Sequence, residues 1–278
     1  MEPVVAEEEV LLLFSSAVRS RAEQSRAELT LFRGDCLEVM NAFPDGTVDF
    51  ILSDLPFGIT ECSWDRQIEL GRLWEQFRRV LKANGVIALF AVQPFATDLI
   101  NAARGLFRYE YVWKKHLPTG FLNAHKMPLR DHELVLIFYA RLPRYLPPGL
   151  HRVRHKQHSG ITTTDLYGGS WKANWITKRS GWPTSILDYL RLERVGKQSW
   201  AKTLATQKPV ALLEFLIRTY TRPGELVLDC CMGSGTTGIA ALRAGRRFIG
   251  IELARDRFRS GATSILRSRQ TGKKVVKL

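Results

Sequence analysis

The stretch that decides the fold is Leu226-Val-Leu-Asp229-Cys-Cys-Met-Gly233-Ser-Gly235-Thr-Thr-Gly238. It begins as a short apolar run, ends that run in a carboxylate, and then places three glycines close together. This pattern predicts a buried strand, a tight glycine turn and the start of a helix. Glycines at such a turn let the backbone approach a ligand, and the helix N-terminus favours an anionic group on it.

Three interpretations of this turn are open. The glycine spacing matches the dinucleotide-binding pattern of nicotinamide and flavin enzymes. Two details disfavour that class: Asp229 ends the strand where an apolar residue is usual, and a single further strand, Arg247–Glu252, follows. S-adenosylmethionine fits better, because Asp229 can face its cationic end and Glu252 can accept hydrogen bonds from both ribose hydroxyls. A strand–helix turn without any ligand is the third interpretation.

Apolar runs of strand length alternate with amphipathic segments along most of the chain. Strands are predicted at 29–33, 48–53, 86–92, 110–114, 134–139, 226–229 and 247–252. Helices are predicted at 36–43, at 70–81 with Asn84-Gly85 as its stop, after Pro94, and at 209–220, 233–244 and 254–267. This alternation predicts an α/β fold built on a doubly wound, mostly parallel sheet.

Residues 141–202 break the alternation. Prolines cluster at 143, 147 and 148, buried-strand patterning disappears, and lysines and arginines are interleaved with tyrosines and tryptophans. We interpret this segment as an insertion or a small second domain. The chain is therefore divided into an N-terminal extension (1–27), two halves of one domain (28–140 and 203–268), the inserted region (141–202) and a basic tail (269–278), with fraying expected from Arg267.

The charge of the chain indicates a polyanionic partner. The 278 residues carry 41 Lys and Arg against 27 Asp and Glu, which gives a net charge of +14. Nucleic acid is the commonest polyanion that so basic a protein meets, and a solubilising surface is the alternative. The hydrophobic fraction of 45% excludes a mostly disordered chain.

Several other classes are disfavoured by the sequence. The apolar runs are too short to span a membrane, and Glu7, Glu8 and Glu9 stand where a signal peptide would be basic. The four cysteines form no Cys-x-x-Cys pair, so a cytoplasmic location is expected, without a zinc ribbon or disulfide framework. The histidines at 151, 155 and 158 lack further ligands at suitable spacing, so no metal site is predicted.

A second candidate site, Asp54-Leu55-Pro56-Phe57, follows the strand at 48–53. The exocyclic amine of a nucleobase is a poor nucleophile because its lone pair is delocalised into the ring. Asp54 and the carbonyl of Leu55 can accept hydrogen bonds from its two protons and free that lone pair, while Pro56 keeps Leu55 extended. Phe57 offers an aromatic face to an extruded base. A proline-stiffened turn without a ligand is the alternative.

Three elements in this order resemble the bacterial and phage amino-methyltransferases of DNA, which methylate adenine N6 or cytosine N4. They are Ser53-Asp-Leu-Pro-Phe-Gly58, Thr206-Gln-Lys-Pro209 and Asp229-Cys-Cys-Met-Gly-Ser-Gly-Thr-Thr237, and their order resembles the beta arrangement of that family. The resemblance implies a Rossmann-like fold, S-adenosylmethionine as cofactor, and double-stranded DNA as substrate, with a flipped target base. It leaves open a partner restriction nuclease and a monomeric or homodimeric state.

The resemblance also implies roles for individual residues. The target-base pocket would be formed by Asp54, Leu55, Pro56 and Phe57. The cofactor would be bound by Asp35, Cys36, Asp54, Gln207, Lys208, Pro209, Asp229, Gly233, Ser234, Gly235, Thr236, Thr237 and Glu252, although Lys208 reads equally well as a surface residue. DNA would be contacted within the inserted region by Arg144, Arg152, Arg154, Lys156, Lys172, Lys178 and Arg179.

Two departures from the family pattern bear on the reaction. Leu55 replaces the usual first proline and Phe57 replaces tyrosine, yet the carbonyl acceptor and the stacking face are retained. An acid at the first position favours adenine, whereas a serine there would favour cytosine; Ser53 directly precedes, but the register with Pro56 points to Asp54. Adenine N6 is therefore expected. Cytosine N4, methylation of RNA or protein, and an inactive DNA-binding homologue are the alternatives.

Overall fold

The computed structural model describes residues 29–58, 66–164, 169–189 and 207–272, with the backbone alone at 116–117, 152–164, 169–179 and 270–272. The strands are β1 Leu29–Arg33, β2 Val48–Ser53, β3 Leu81–Ala91, β4 Phe107–Thr119, β5 Arg130–Phe138, β6 His151–Thr164, β7 Gly169–Ser180, β8 Ile186–Asp188, β9 Leu226–Asp229 and β10 Arg247–Glu252. The helices are α1 Cys36–Asn41, α2 Leu70–Val80, α3 Phe95–Ala102, α4 Val210–Tyr220, α5 Thr236–Arg243 and α6 Arg255–Gly272. The predicted N-terminal extension, 1–27, lies outside the described residues.

Within this part of the chain, eight strands form one sheet in the order β1-β10-β9-β2-β3-β5-β4-β8. The five strands from β1 to β3 are parallel, β5 runs antiparallel to both neighbours, and β8 is parallel to β4. The predicted mostly parallel α/β sheet is thus confirmed.

The strand order reverses between β9 and β2. From β9 the chain crosses through α5 to β10 on one side, and from β2 it crosses through α2 to β3 on the other. In open α/β sheets a ligand crevice forms at such a point, outside the carboxyl ends of the strands. Because β9 and β2 pair directly, with Ile51 beside Leu228, both sequence motifs end at this crevice.

Both faces of the sheet are covered, which explains the nearly continuous apolar runs of the central strands. On β2, Ile51 belongs to one hydrophobic cluster, together with Trp74 and Phe77 of α2. Phe50 and Leu52 belong to the cluster on the opposite face, which α4 covers with several leucines. Successive residues of a strand point to opposite faces, so a centrally placed strand needs apolar residues at every position.

The helix α2 ends earlier than its sequence predicts. It stops at Val80, Leu81 is already extended, and β3 pairs with β2 from that residue onward, so the stop expected at Asn84-Gly85 is wrong. Gly85 lies within β3, where the neighbouring strand β2 leaves little room for a side chain. A β-carbon at Gly85 would lie 3.0 Å from the carbonyl oxygen of Asp49. Apolar periodicity alone does not separate the last helical turn from the first strand residues.

Other boundaries also differ from the predicted ones. Strands β4 and β5 are longer than expected, because their ladder continues through charged residues such as Lys114, which pairs with His132. The helix α6 extends to Gly272. The fraying expected from Arg267 onward is therefore wrong for residues 267–272. At these ends the backbone hydrogen bonds continue beyond the apolar residues on which the predicted bounds were based.

The predicted inserted region contains regular structure that its sequence does not indicate. Strands β6 and β7 pair with each other in antiparallel register, and β8 joins the main sheet beside β4, with Ile186 opposite Val112. The sequence of β6, His-Arg-Val-Arg-His-Lys-Gln-His-Ser-Gly-Ile-Thr-Thr-Thr, lacks apolar alternation, which is why no strand was expected. The boundaries at 141 and 202 stay a prediction. None of the described helices combines the length and apolarity that crossing a bilayer requires.

Two glycines with left-handed backbone allow a test of how closely α6 approaches the turn before α5. Gly235 has φ +79°, and an added β-carbon would lie 2.7 Å from the Gly261 carbonyl oxygen of α6. Gly245 has φ +72° but no atom within 4 Å of such a carbon. We expect Gly245→Ala to lower the unfolding free energy by about 1–2 kcal/mol through backbone strain alone. Gly235→Ala should cost about 1 kcal/mol more, through the clash; equal losses in urea denaturation would contradict the close approach of α6.

Candidate active site

The two sequence motifs meet through a hydrogen bond between buried side chains. The Ser53 hydroxyl donates to Asp229 Oδ1 at 2.7 Å, and Cys231 N donates to the same oxygen at 3.1 Å. This contact joins the last residue of β2 to the last residue of β9. Asp54 therefore starts its loop beside the glycine turn, although more than 170 residues separate the two in sequence.

The two carboxylate oxygens of Asp54 have different surroundings. Oδ2 accepts a hydrogen bond from Lys208 Nζ at 2.6 Å. Oδ1 is buried and accepts no hydrogen bond among the described residues, although 32% of the side chain is exposed. Burial raises the pKa of Asp54 above its usual value, and the opposing effect of Lys208 does not cancel this rise. The carboxylate thus combines one bonded oxygen with one unused acceptor at the rim of the crevice.

Lys208 is the centre of a buried ion-pair network. Besides Asp54, its Nζ lies 3.1 Å from Glu133 Oε2, and Glu133 Oε1 lies 3.2 Å from Lys115 Nζ. Burial acts to raise the pKa of Glu133, but the two lysines outweigh it and the pKa is lowered. Burial likewise acts to lower the pKa of Lys208, but Asp54 and Glu133 outweigh it and the pKa is raised. For Glu133 and Lys208 the partners therefore outweigh burial, whereas for Asp54 burial outweighs the stabilising effect of Lys208.

This network corrects one expectation and adds two residues. The side chain of Lys208 is 7% exposed, so its interpretation as a surface residue is wrong, while a contact with the cofactor stays a prediction. Glu133 and Lys115 were not among the candidate site residues. Glu133 follows an exposed stretch of β5. The segment 120–133 resembles a family loop beside the active site but was assigned no role in the chemistry, and the ion pairs with Lys208 and Lys115 are what bring Glu133 into the site.

The rest of the tetrapeptide is held by packing. Leu55 is buried in the hydrophobic cluster on the α2 side of the sheet. The Phe57 ring is half-buried and lies 5.6 Å from the Phe95 ring, centroid to centroid. Gln67 Nε2 donates to the Phe57 carbonyl at 2.9 Å, which anchors the end of the loop. Leu55 is therefore a structural anchor, and Phe57 keeps an exposed portion next to Asp54.

Glu252, the last residue of β10, is hydrogen-bonded to the first glycine of the glycine turn. Glu252 Oε2 accepts from Gly233 N at 3.0 Å, and Oε1 accepts from Ala254 N at 2.9 Å. Gly233 has φ +48°, and a β-carbon there would meet no atom closer than 3.9 Å. Among the residues that the structure describes, no side chain caps the N-terminus of α5. Buried Thr236 and Thr237 begin that helix, so the turn presents open space beside uncapped backbone amides.

The turn after β1 lies against the turn after β9. Asp35 Oδ1 accepts from Leu37 N at 2.8 Å and so caps α1. The sulfur atoms of Cys36, Cys230 and Cys231 all lie within 4.8 Å of one another. Thiol hydrogen bonds from Cys230 and Cys231 lower the pKa of Cys36. The structure thus gives Cys36 thiol neighbours that its position in the sequence does not predict.

The remaining candidate residues fall into two groups. Gln207 is half-buried and Pro209 is buried at the start of α4, and Ser234 is half-buried in the glycine turn. Arg144 is half-buried, with a buried Nε that has no partner among the described residues. The other predicted DNA contacts lie on β6 or β7, where side chains are not described; they are Arg152, Arg154, Lys156, Lys172, Lys178 and Arg179.

Residues 48–262, most of the chain, match the model of a DNA methylase family that comprises N6 and N4 methyltransferases. The chain belongs to this family. It is similar to the type II methyltransferase M1.MboII of Moraxella bovis, with 36% identity over 240 residues that cover 79% of this chain and 89% of the relative. Members of the family use S-adenosylmethionine, so the chain is a DNA methyltransferase with this methyl donor.

Solved structures agree on the fold. The S-adenosylmethionine complex of M1.HpyAVI aligns with a TM-score of 0.58 at 23% identity, covering 84% of this chain and 98% of that one. The cytosine-N4-specific PvuII methyltransferase aligns with a TM-score of 0.58 at 18% identity, covering 88% and 92%. The Rossmann-like methyltransferase fold that the motifs imply is therefore confirmed.

The residues of the glycine turn fit the cofactor of this family. Gly233 leaves room for a ligand against the backbone, and the uncapped α5 N-terminus favours the methionine carboxylate. Glu252 places a buried carboxylate at the end of β10, where ribose hydroxyls are bound in related folds. The chemistry and the space agree, although the role of each residue stays a prediction.

The titration of Asp229 should be visible in the stability of the protein. Burial raises its pKa to about 6, whereas the unfolded value is about 3.9. Between these values the folded chain holds a proton that the unfolded chain has lost, so this group makes stability fall as pH rises from about 4 to about 6. Asp229→Asn removes the titration and keeps an oxygen to accept from Ser53. We expect its unfolding free energy, relative to wild type, to increase from about pH 4.5 to pH 7 in urea denaturation.

The matched control is Asp45→Asn, which removes the same charge from a side chain that is 79% exposed. Its unfolding free energy relative to wild type should change little over that pH range. A flat difference for Asp229→Asn as well would mean that Asp229 titrates normally in the folded state.

Proposed function

We propose that this DNA methyltransferase transfers a methyl group to N6 of a flipped adenine within a short duplex sequence. The observation that carries the proposal is Asp54 Oδ1, a buried acceptor without a partner among the described residues, at the crevice between β2 and β9. An unused buried acceptor costs free energy unless a donor satisfies it. The N6 amine of adenine supplies such a donor when the base enters the site.

The cofactor side of the crevice is assigned to the glycine turn. Glu252 would accept from the ribose, Asp229 and Gly233 would line the turn, and the α5 amides would face the methionine carboxylate. S-adenosylmethionine supplies a methyl group already activated on a sulfonium. The residues of the chain therefore contribute chiefly by aligning donor and acceptor and by electrostatics.

The base side is assigned to the loop that follows β2. Asp54 Oδ1 would accept one proton of the amine in a hydrogen bond and the Leu55 carbonyl the other, which draws the nitrogen towards a tetrahedral form. Lys208 holds Oδ2 at 2.6 Å and so leaves Oδ1 for the substrate. The exposed portion of Phe57 offers the extruded base a stacking face, a contact worth about 1–3 kcal/mol.

The position of Ser53 favours adenine over cytosine. Its hydroxyl is buried and donates to Asp229 Oδ1, so this serine links the carboxyl ends of β2 and β9. Asp54 is the residue that reaches the rim, and an acid in this position is typical of the adenine enzymes of the family. The overall fold does not discriminate, because the similar PvuII enzyme is specific for cytosine N4.

DNA is proposed to lie across the basic surface of the chain. The net charge of +14 predicts binding that weakens steeply with salt. Strands β6 and β7 carry six of the candidate lysines and arginines, which supports a role of this segment in reading the target sequence. A partner nuclease, as the similarity to a type II enzyme suggests, and a monomeric or homodimeric state belong to the same proposal.

The decisive variant is Asp54→Ala, compared with wild type and with Asp45→Ala as a surface control. Loss of the acceptor should lower single-turnover methyl transfer at least about 100-fold. S-adenosylmethionine affinity, measured by calorimetry, should change little, because the carboxylate is assigned chiefly to the base and the glycine turn supplies the main cofactor contacts. Nucleoside mass spectrometry of DNA methylated by the wild type should show N6-methyladenine.

N4-methylcytosine in that digest would replace the adenine assignment by the cytosine alternative. Preferred methylation of RNA or protein in competition with duplex DNA would remove the DNA role. Wild-type turnover by Asp54→Ala would leave Asp54 without its assigned function.

Lys208 should set the acidic limb of the pH–rate profile. Asp54 accepts a hydrogen bond from the amine only when ionised, so activity falls as pH drops through its pKa. Because Lys208 lowers that pKa, Lys208→Met should move the acidic limb to higher pH. Lys115→Met removes a buried lysine that pairs with Glu133 instead, and should move the limb less. An unchanged limb in Lys208→Met would show that the ion pair does not control Asp54.

A further inference from the structure

Three thiols meet beside the cofactor turn; Cys36 is a predicted cofactor contact, and none of the three has a role in the methyl-transfer step itself. The sulfur atoms of Cys36, Cys230 and Cys231 lie within 4.8 Å of one another, and none of the three forms a disulfide. Cys36 opens α1 after the two-residue turn that follows β1, and the other two cysteines directly follow β9. The strands β1 and β9 flank β10 in the sheet. The turns that follow these two strands therefore bring together sulfur ligands from distant parts of the chain.

The cluster is enclosed by protein. Cys36 is 7% exposed, Cys230 is 2% exposed, and Cys231 is half-buried. The Ser53 hydroxyl lies 3.4 Å from the Cys230 sulfur. Since Cys231 retains some exposure, an ion can reach the sulfur atoms from one side and be enclosed once bound.

The sulfur separations suit a single bound ion. A pyramidal three-coordinate site with bonds of about 2.3 Å to sulfur places the sulfur atoms about 3.5 Å apart. Separations of up to 4.8 Å approach that geometry, which the three side chains reach by contracting around the ion. A disulfide would use two of the three sulfurs and leave the third unpaired, so it accounts for less of the arrangement.

Charge selects the kind of ion. Three thiolates around a divalent ion leave one net negative charge, whereas three thiolates around a trivalent ion leave none. Burial of an uncompensated charge is costly, so a neutral complex is preferred.

We propose that Cys36, Cys230 and Cys231 form a binding site for a trivalent thiophilic ion of the arsenite class, held by three sulfur atoms. Arsenite is a neutral trihydroxide near pH 7. On binding, three arsenic–oxygen bonds break and three arsenic–sulfur bonds form; the hydroxyl groups leave as three waters with the thiol protons. No oxidant or reductant takes part. The site is independent of which base is methylated, and its occupancy would tie the turn after β1 to the turn after β9.

The test uses the full chain, reduced with a phosphine, and arsenite as the probe. Intact-mass spectrometry should show one arsenic gained and three hydrogens lost per chain. Thiol titration should show three fewer reactive cysteines, and peptide mapping after alkylation should find Cys62 as the cysteine that still reacts. X-ray absorption should show three sulfur neighbours and no oxygen neighbour.

Variants identify the ligands. Cys231→Ser should weaken arsenite binding about tenfold or more, through loss of the third attachment, and Cys231→Ala provides the same test if the serine variant unfolds. The matched control, Cys62→Ser, should bind arsenite as the wild type does. Protection of two thiols, equal weakening by Cys62→Ser, or tighter binding of Zn²⁺ than of arsenite would each overturn the proposal; so would a spontaneous disulfide that excludes arsenite. The wild-type stoichiometry stands as a test even if every variant misfolds.

Discussion

The site depends on the direct pairing of β2 with β9. These strands come from opposite ends of the sequence, yet their carboxyl ends are fixed side by side and linked by the bond from Ser53 to Asp229. A strand pairing of this kind is rigid, because both strands are buried on both faces. The distance between the base-side loop and the glycine turn is therefore set by the centre of the sheet and not by the loops themselves.

Electrostatics at the site are balanced within a small buried network. Lys208 alone would be an isolated buried cation, which is unfavourable without partners. Asp54 and Glu133 compensate it on two sides, and Lys115 compensates Glu133 in turn. The network thus holds Asp54 through Oδ2 and leaves Oδ1 as an unused acceptor among the described residues. A loop carboxylate is positioned in this way by its Oδ2 contact, while Oδ1 has no hydrogen-bond donor in the described part of the chain.

Sequence reasoning succeeded where chemistry and periodicity coincide. The strands ending at Ser53 and Asp229 were predicted with their observed bounds, because apolar runs followed by acids and glycines leave little ambiguity. It failed where the decisive information is long-range. Glu133 and the three-thiol cluster arise from contacts between distant segments, and β6 and β7 form from polar residues that show no alternation. The start of β3 was missed because α2 passes into this strand without a break.

The edge position of β1 has a consequence for how the protein is made. This strand is the first described element of the chain, yet its sheet partner is β10, more than 200 residues later. During synthesis β1 cannot pair with β10 until more than 200 further residues have left the ribosome. Contacts of such long sequence separation slow folding and leave strand edges open in the meantime. The half of the sheet that carries the glycine turn is consequently completed last, so an incomplete chain would lack it.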